Sequence, residues 1–290
     1  MRPSCKSWPC SRRAENDGKK GKTMEYSTGI GTSDATSIRL LGHDLAGELI
    51  GRISFGELAL WLVTQRRPTP QQVRVFEAVL ISLADHGFTP TAIAARLTLY
   101  SAPDAFQGAM AAGLLGGGSR FLGVTEDTGR FLANVLATVE GPLPANDEQW
   151  DTLARRAVAE QRAAGRLVPG LGHPVHKQAD PRTAVIIDLA ESEGLRGPHL
   201  RLFEAVGRVH TAVLGRTLPL NGAGVAGAAL ADLGLPTELL RGVALLARAA
   251  GLLGHLAEEL RSPLAPNIYT AIDRNAVYRP VTENDFPEQR

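Results

Sequence analysis

The sequence predicts an all-α fold. Its 290 residues are 44% hydrophobic but only 5% aromatic, and Ala and Leu carry the apolar share with few β-branched runs, a composition that favours helix. From Ile38 onward, apolar residues recur at three- and four-residue steps, the spacing of one helix face. At Thr89-Pro90 and Asp180-Pro181 a capping residue stands directly before a proline, the arrangement that opens a helix with Pro in its first turn. With 31 basic and 30 acidic residues the chain is too evenly charged and too apolar for a disordered protein, and its balance gives no reason to expect nucleic acid or a membrane as partner.

The elements follow in order. Residues 1–36 read as a disordered tail; the first 24 hold seven basic and two acidic residues, whereas the remainder is net acidic. Met24 offers an alternative start. No apolar run of signal-peptide length occurs, and Cys5 and Cys10, both in the tail, neither staple a core nor form a zinc site, so a cytoplasmic setting is expected. Val73, Phe76, Leu80 and Leu83 mark a helix that Asp85-His86-Gly87 stops. Thr89-Pro90 opens the next. Trp150, Leu153, Ala154, Ala157 and Val158 mark an amphipathic helix that closes near Gly165, and the helix launched by Asp180-Pro181-Arg182 ends at Gly194. Leu239 to Leu256 is long and apolar, but Arg241, Arg248 and His255 interrupt it at seven-residue spacing, which fits a core helix with one polar edge. Two stretches read as non-helical: Gly108 to Gly129, with seven glycines, and Val168 to Lys177, with two prolines and two glycines around His173.

Those breaks frame the candidate chemistry. His173 follows Gly-Leu-Gly and precedes Pro, and Arg182 stands nine residues on in the first turn of a capped helix. A loop histidine near an arginine at a helix N-terminus can bind a carboxylate and protonate a neighbouring oxygen; a loop cap and a surface ion pair are the plainer roles. His86, at the end of an apolar helix, either satisfies terminal carbonyls or donates to an anion. Arg248 lies in a core-like helix and requires a partner, either Glu258 or Glu259 on its own helix or an anionic ligand. The glycine cluster is not followed by Gly-Lys-Ser/Thr, and neither a dinucleotide fingerprint nor a Gly-x-Ser-x-Gly elbow occurs. His and Cys spacing points to no metal site.

Taken together, Ala84-Asp85-His86-Gly87-Phe88, the block Gly-Leu-Gly-His-Pro-Val-His-Lys at 170–177 with Asp180-Pro181-Arg182, Asn221 with Gly227, Leu233-Gly234-Leu235-Pro236, and Ala247-Arg248 with Gly251, His255 and Glu258 resemble the citrate synthase family, which includes citryl-CoA lyases. The resemblance covers about residues 38–275. It implies a two-domain helical subunit in a homodimer, with the active site in the cleft between a large domain (37–116 and 224–290) and a small one (117–223). It implies that His173 hydrogen-bonds and protonates the keto oxygen of oxaloacetate, that His86, Arg182 and Arg248 hold its carboxylates, and that Lys177 and the loop Leu115, Gly116, Gly117, Gly118 bind coenzyme A. A CoA thioester would be substrate, with no bound cofactor.

Departures from the family pattern sharpen the expectation. The histidine that donates to the thioester oxygen is replaced by Gly116, the aspartate that takes the acetyl-CoA proton by Ala223, and the C-terminal Arg-Pro reads Ala265-Pro266. Neither Gly116 nor Ala223 can transfer a proton. The expected activity is therefore cleavage of citryl-CoA to acetyl-CoA and oxaloacetate, or its reverse, with neutral His173 taking the hydroxyl proton and the 115–120 amides or Arg120 holding the enolate oxygen. Glu126 and Asp127 are candidate replacement carboxylates, an exposed loop being their plainer reading. The alternatives are a degenerate homologue that binds a di- or tricarboxylate or a CoA ester without turnover, and an enzyme for a different acyl-CoA and keto acid. A carboxylate or imidazole beside His173 would favour catalysis.

Overall fold

A computed structural model describes residues 25–280; the basic tail up to residue 24 lies outside them. The chain divides into two compact units at Arg52–Ile53. The first contains a small antiparallel sheet of β1 (Gly31–Ser33), β2 (Ile38–Leu40) and β3 (His43–Asp44), followed by a π-turn over Leu45–Leu49. This corrects the expectation of helix from Ile38 and, at Gly31–Ser33 alone, that of a disordered tail. The cause is local: Leu41 (φ 51°) and Gly42 (φ 84°) form a two-residue turn with left-handed backbone, which pairs the flanking strands.

The second unit is helical: α1 (Phe55–Thr64), α2 (Pro70–Ala84), α3 (Pro90–Ser101), α4 (Phe106–Leu115), α5 (Val124–Leu136), α6 (Asp147–Ala163), α7 (Pro181–Ser192), α8 (Pro198–Leu214), α9 (Gly222–Asp232), α10 (Leu240–Arg261) and α11 (Ala265–Arg274). The expected caps form. Thr89 accepts from the Ala92 amide, Asp180 from the Arg182 amide, and Trp150, Leu153, Ala154, Ala157 and Val158 are the buried stripe of α6.

Helix α9 lies at the centre of the core, with Gly224 through Ala231 all buried. Its small residues let other backbones come close. A Cβ on Gly224 would stand 2.6 Å from the Gly170 Cα, and one on Gly227 would stand 2.2 Å from the Thr125 carbonyl oxygen. The stretch 108–129, expected to be non-helical, is mostly α4 and α5. Its glycines serve helix contacts: a Cβ on Gly113 would meet Leu252 at 2.7 Å, and one on Gly129 would meet Leu240 at 2.2 Å.

Among the described residues, Thr237–Arg261 is the one helical stretch long and apolar enough to cross a membrane by length and composition. It packs as the core helix that was expected, burying Leu240, Val243, Ala244, Ala247, Leu252 and Leu256 together with the ion-paired Arg248 and Glu259.

Candidate anion site at the helix ends

The site begins at the corner between α2 and α3. Asp85 caps α2, its Oδ2 accepts from the Gly87 amide at 2.8 Å, and Gly87 takes φ 72°. This turn presents His86. The Asp85 carboxylate is fixed from α10: Oδ1 accepts from His255 Nε2 at 2.9 Å and from Arg248 Nη1 at 3.3 Å. His255 Nδ1 in turn accepts from Arg96, 2.9 Å from Nη2, so its proton sits on Nε2 and points at Asp85. Arg96 is 1% exposed and pairs with Glu258 and Glu259. Partial burial disfavours the Asp85 charge, but the Gly87 and His255 hydrogen bonds outweigh it and hold the carboxyl below the usual range. The predicted pairing of Arg248 with Glu258 or Glu259 is thus corrected: both glutamates hold Arg96, and Asp85 from α2 holds Arg248.

The second component is the 168–177 loop. Gly170 (φ 82°) and Gly172 (φ 87°) let it turn against the chain before α9. Gly172 donates to the Pro219 carbonyl at 2.7 Å, and Asn221 donates its side-chain amide to the Gly172 carbonyl at 2.8 Å while capping α9 through Gly224. His173 Nδ1 accepts from the amides of Val175 (3.1 Å) and His176 (3.0 Å). With both donors on Nδ1, the neutral ring carries its proton on Nε2 and can only donate to a ligand. This tautomer suits His173 to hydrogen-bond donation rather than to removal of a hydroxyl proton. Burial and then the neighbouring His176 ring hold its pKa below the ordinary value, His86 and Arg182 add to this, and Asp180 opposes it.

The third component is the start of α7. Arg182 is gripped by its own cap, with Nε 2.9 Å from Asp180 Oδ1 and Nη2 2.7 Å from Oδ2, and Nη1 reaches the Ser82 carbonyl of α2 at 3.1 Å. Gly222 also donates to Asp180 Oδ2 at 2.7 Å. A Cβ at Gly222 would stand 2.3 Å from Arg182 Nε, so glycine there keeps the guanidinium in place.

These components meet. The rings of His86 and His173 are 5.2 Å apart, His173 and His176 4.4 Å, and His86 and His176 5.7 Å. Burial depresses the Arg248 pKa, and the charge of Arg182 adds to that, which places both guanidiniums in one neighbourhood. Arg248 Nε is buried without a hydrogen-bond partner, a donor that an anion would satisfy. His86, His173, Arg182 and Arg248 are therefore brought together, and His176, part of the 170–177 motif but not a sequence candidate, joins them. The three ring nitrogens lie within 4.8 Å of one another, close enough to suggest a metal. Chelation by His173 Nε2 would, however, place a proton on Nδ1 against two amide donors, the reverse of the outer-shell bond that a metal-bound imidazole makes.

The other sequence candidates, Leu115, Gly116, Gly117, Gly118 and Ala223, bring no polar side chain to the cluster. Lys177 reaches it only by donating to the His173 carbonyl at 3.1 Å. Leu115 is 86% exposed, and the amides of Gly116, Gly117 and Gly118 donate to carbonyls of their own turn, so they offer no ready oxyanion hole. A Cβ on Gly116 would meet Thr91 Cγ2 at 3.3 Å, and one on Gly117 would meet Leu122 at 2.7 Å. Ala223 lies in the first turn of α9, next to Gly222. Glu126 lies in helix α5, not in a loop, and pairs with Arg130 and Arg241.

Fold and site thus define a helical protein with a candidate anion corner made of loop histidines, Arg182 at the start of α7 and Arg248 within α10. It belongs to the citrate synthase family: the family described as citrate synthase, C-terminal domain, matches residues 37–272. Citryl-CoA lyase from Hydrogenobacter thermophilus is similar in structure, with a TM-score of 0.77 and 28% identity over 91% of this chain and 98% of its own. Citrate synthase from Synechocystis sp. is 26% identical over 248 residues, 80% of this chain and 57% of that protein. Citrate synthase from Deinococcus radiodurans is 29% identical over 203 residues, 66% of this chain and 48% of that protein. The chain spans about half the length of these curated relatives.

Proposed function

We propose that the protein cleaves a citryl-CoA-like thioester to acetyl-CoA and oxaloacetate, or runs the reverse condensation. The observation that carries this reading is the imidazole beside His173: the His176 ring, 4.4 Å away, supplies a titratable group where Gly116 and Ala223 supply none. His173 donates its Nε2 proton to the oxygen that alternates between hydroxyl and keto. His86, Arg182 and Arg248 hold the carboxylates. Lys177 and the loop 115–118 lie along the coenzyme A side. The enolate oxygen is held by the amides of Ser119 and Arg120 or by the exposed Arg120 guanidinium, since the 116–118 amides are occupied within their turn. We further propose that 37–116 with 224–290, and 117–223, act as large and small domains of a homodimer in the cytoplasm, closing around this site.

The test is release of acetyl-CoA and oxaloacetate from citryl-CoA, read through malate dehydrogenase and NADH, with the condensation followed as thiol release. Turnover should fall about 10²-fold or more in His173→Ala. The absence of His and Asp at positions 116 and 223 favours a second reading, a binding protein without turnover. No reaction in either direction with citrate or coenzyme A still bound would establish that reading instead.

A further inference from the structure

We propose that His176 is a catalytic residue of this site: it takes the hydroxyl proton of the bound citryl group and delivers a proton to the acetyl carbon. The inference rests on the cleavage reading above and deepens it. Cleavage needs one proton acceptor. The hydroxyl proton passes to a ring nitrogen of His176, and the bond between the carbinol carbon and the thioester methylene breaks. Its electron pair becomes the enolate of acetyl-CoA, the carbinol carbon becomes the keto carbon of oxaloacetate, and the methylene takes one proton. One proton leaves oxygen and one arrives at carbon, so the step balances without oxidant, metal or water.

The geometry leaves His176 in that role. His173 is removed as a base because the Val175 and His176 amides hold its Nδ1 and its remaining nitrogen carries the proton. Asp180 and Asp85 are engaged with Arg182 and with Arg248 and His255. Of the two rings left, His176 is the nearer to His173 and is half-buried, whereas His86 is exposed. The bond from the His176 amide to His173 Nδ1 gives this turn two functions. It fixes His173 as a donor and keeps the second imidazole beside it, a nitrogen from each of the three rings lying within 4.8 Å of the others.

The experiment compares the full-length protein with His176→Asn and His176→Ala on citryl-CoA. His176→Asn should lower kcat about 10²- to 10⁴-fold with KM little changed, and added imidazole should restore part of the kcat of His176→Ala, which a structural role would not allow. An active wild type with unchanged kcat in His176→Asn, or with a change in KM alone, overturns the inference and leaves the cleavage reading standing. Wild-type activity lost to a chelator and restored by zinc overturns it in favour of a metal. A wild type without turnover removes the cleavage reading and this inference with it.

Discussion

Replacing Asp180 by Asn isolates the ion pair that holds Arg182. The Asp180 side chain is fully buried and accepts four hydrogen bonds: from the Arg182 amide at 3.1 Å, Arg182 Nε at 2.9 Å, Arg182 Nη2 at 2.7 Å and the Gly222 amide at 2.7 Å. Asn is as good a helix cap as Asp, so the cap of α7 survives. With the amide oxygen in the Oδ1 position, however, the NH2 group faces Arg182 Nη2 and the Gly222 amide, donor against donor; with the amide reversed, it faces Arg182 Nε and the Arg182 amide. Either way two bonds to a carboxylate are lost and a half-buried guanidinium loses its buried counter-charge, a cost of about 3 kcal/mol. In a domain of this size that lowers Tm on the order of 10 °C.

The pH dependence gives an independent check. Burial alone would raise the Asp180 pKa, but the bonds from Arg182 and Gly222 hold it well below the usual carboxylate range. A carboxyl depressed in the folded state stabilises fully above its unfolded pKa and less as pH falls below about 4. The gap between wild type and Asp180→Asn, measured by urea unfolding followed by circular dichroism, should therefore be full at neutral pH and narrow below about pH 4. Arg182→Met provides the cycle: Asp180→Asn should cost much less in that background. A loss below about 1 kcal/mol at neutral pH, or a gap indifferent to acid, would refute the reasoning.

Two further outcomes follow from the same corner. Gly251→Ala places a Cβ 2.0 Å from the Ala84 carbonyl oxygen, a backbone contact that no rotamer relieves, so α10 and the end of α2 must separate; the urea midpoint should fall by the equivalent of about 3 kcal/mol with m unchanged, and an unchanged midpoint would disprove the close approach. Arg248→Lys removes the unpartnered Nε and the planar fork, and citrate affinity by calorimetry should drop about 10- to 100-fold while urea stability changes little; undiminished affinity would take Arg248 out of the site.

What the sequence disclosed was what local chemistry decides. Thr89 and Asp180 could be read as caps because a capping side chain bonds to an amide two or three residues on, and the α6 stripe because its period lies within one element. The β1–β2–β3 hairpin escaped because strands of two and three residues carry no period, and only Leu41-Gly42 marks the turn. The glycines of 108–129 do not mark a loop, because their cause is a different helix: Leu252 against Gly113 and Leu240 against Gly129. For Arg248 the sequence offers Glu258, Glu259 or an anionic ligand as partner, whereas its protein partner, Asp85, lies 163 residues away. The histidine site was legible as a motif, but His176 was not, since a loop spacing of three residues does not say which way a ring points until the amides of 175 and 176 are seen on His173 Nδ1.

The two arginines are not equivalent clamps. Arg182 has three of its five N–H donors engaged and is locked by a fully buried carboxylate, so it presents its two remaining donors at a fixed position and cannot change partner without exposing Asp180 as an orphan. Arg248 is held by one 3.3 Å contact to a carboxylate whose side chain is 47% exposed, and Asp85 keeps its bonds to His255 and Gly87 when that contact opens. Each guanidinium has one carboxylate partner, Asp180 on Arg182 and Asp85 on Arg248, and each keeps a donor for a further anion, the buried Arg248 Nε among them. Asp85 is the one that can be displaced at low cost, because solvent and His255 receive it. Under the proposed function, Arg182 would therefore fix the ligand's position and Arg248 would respond to its charge.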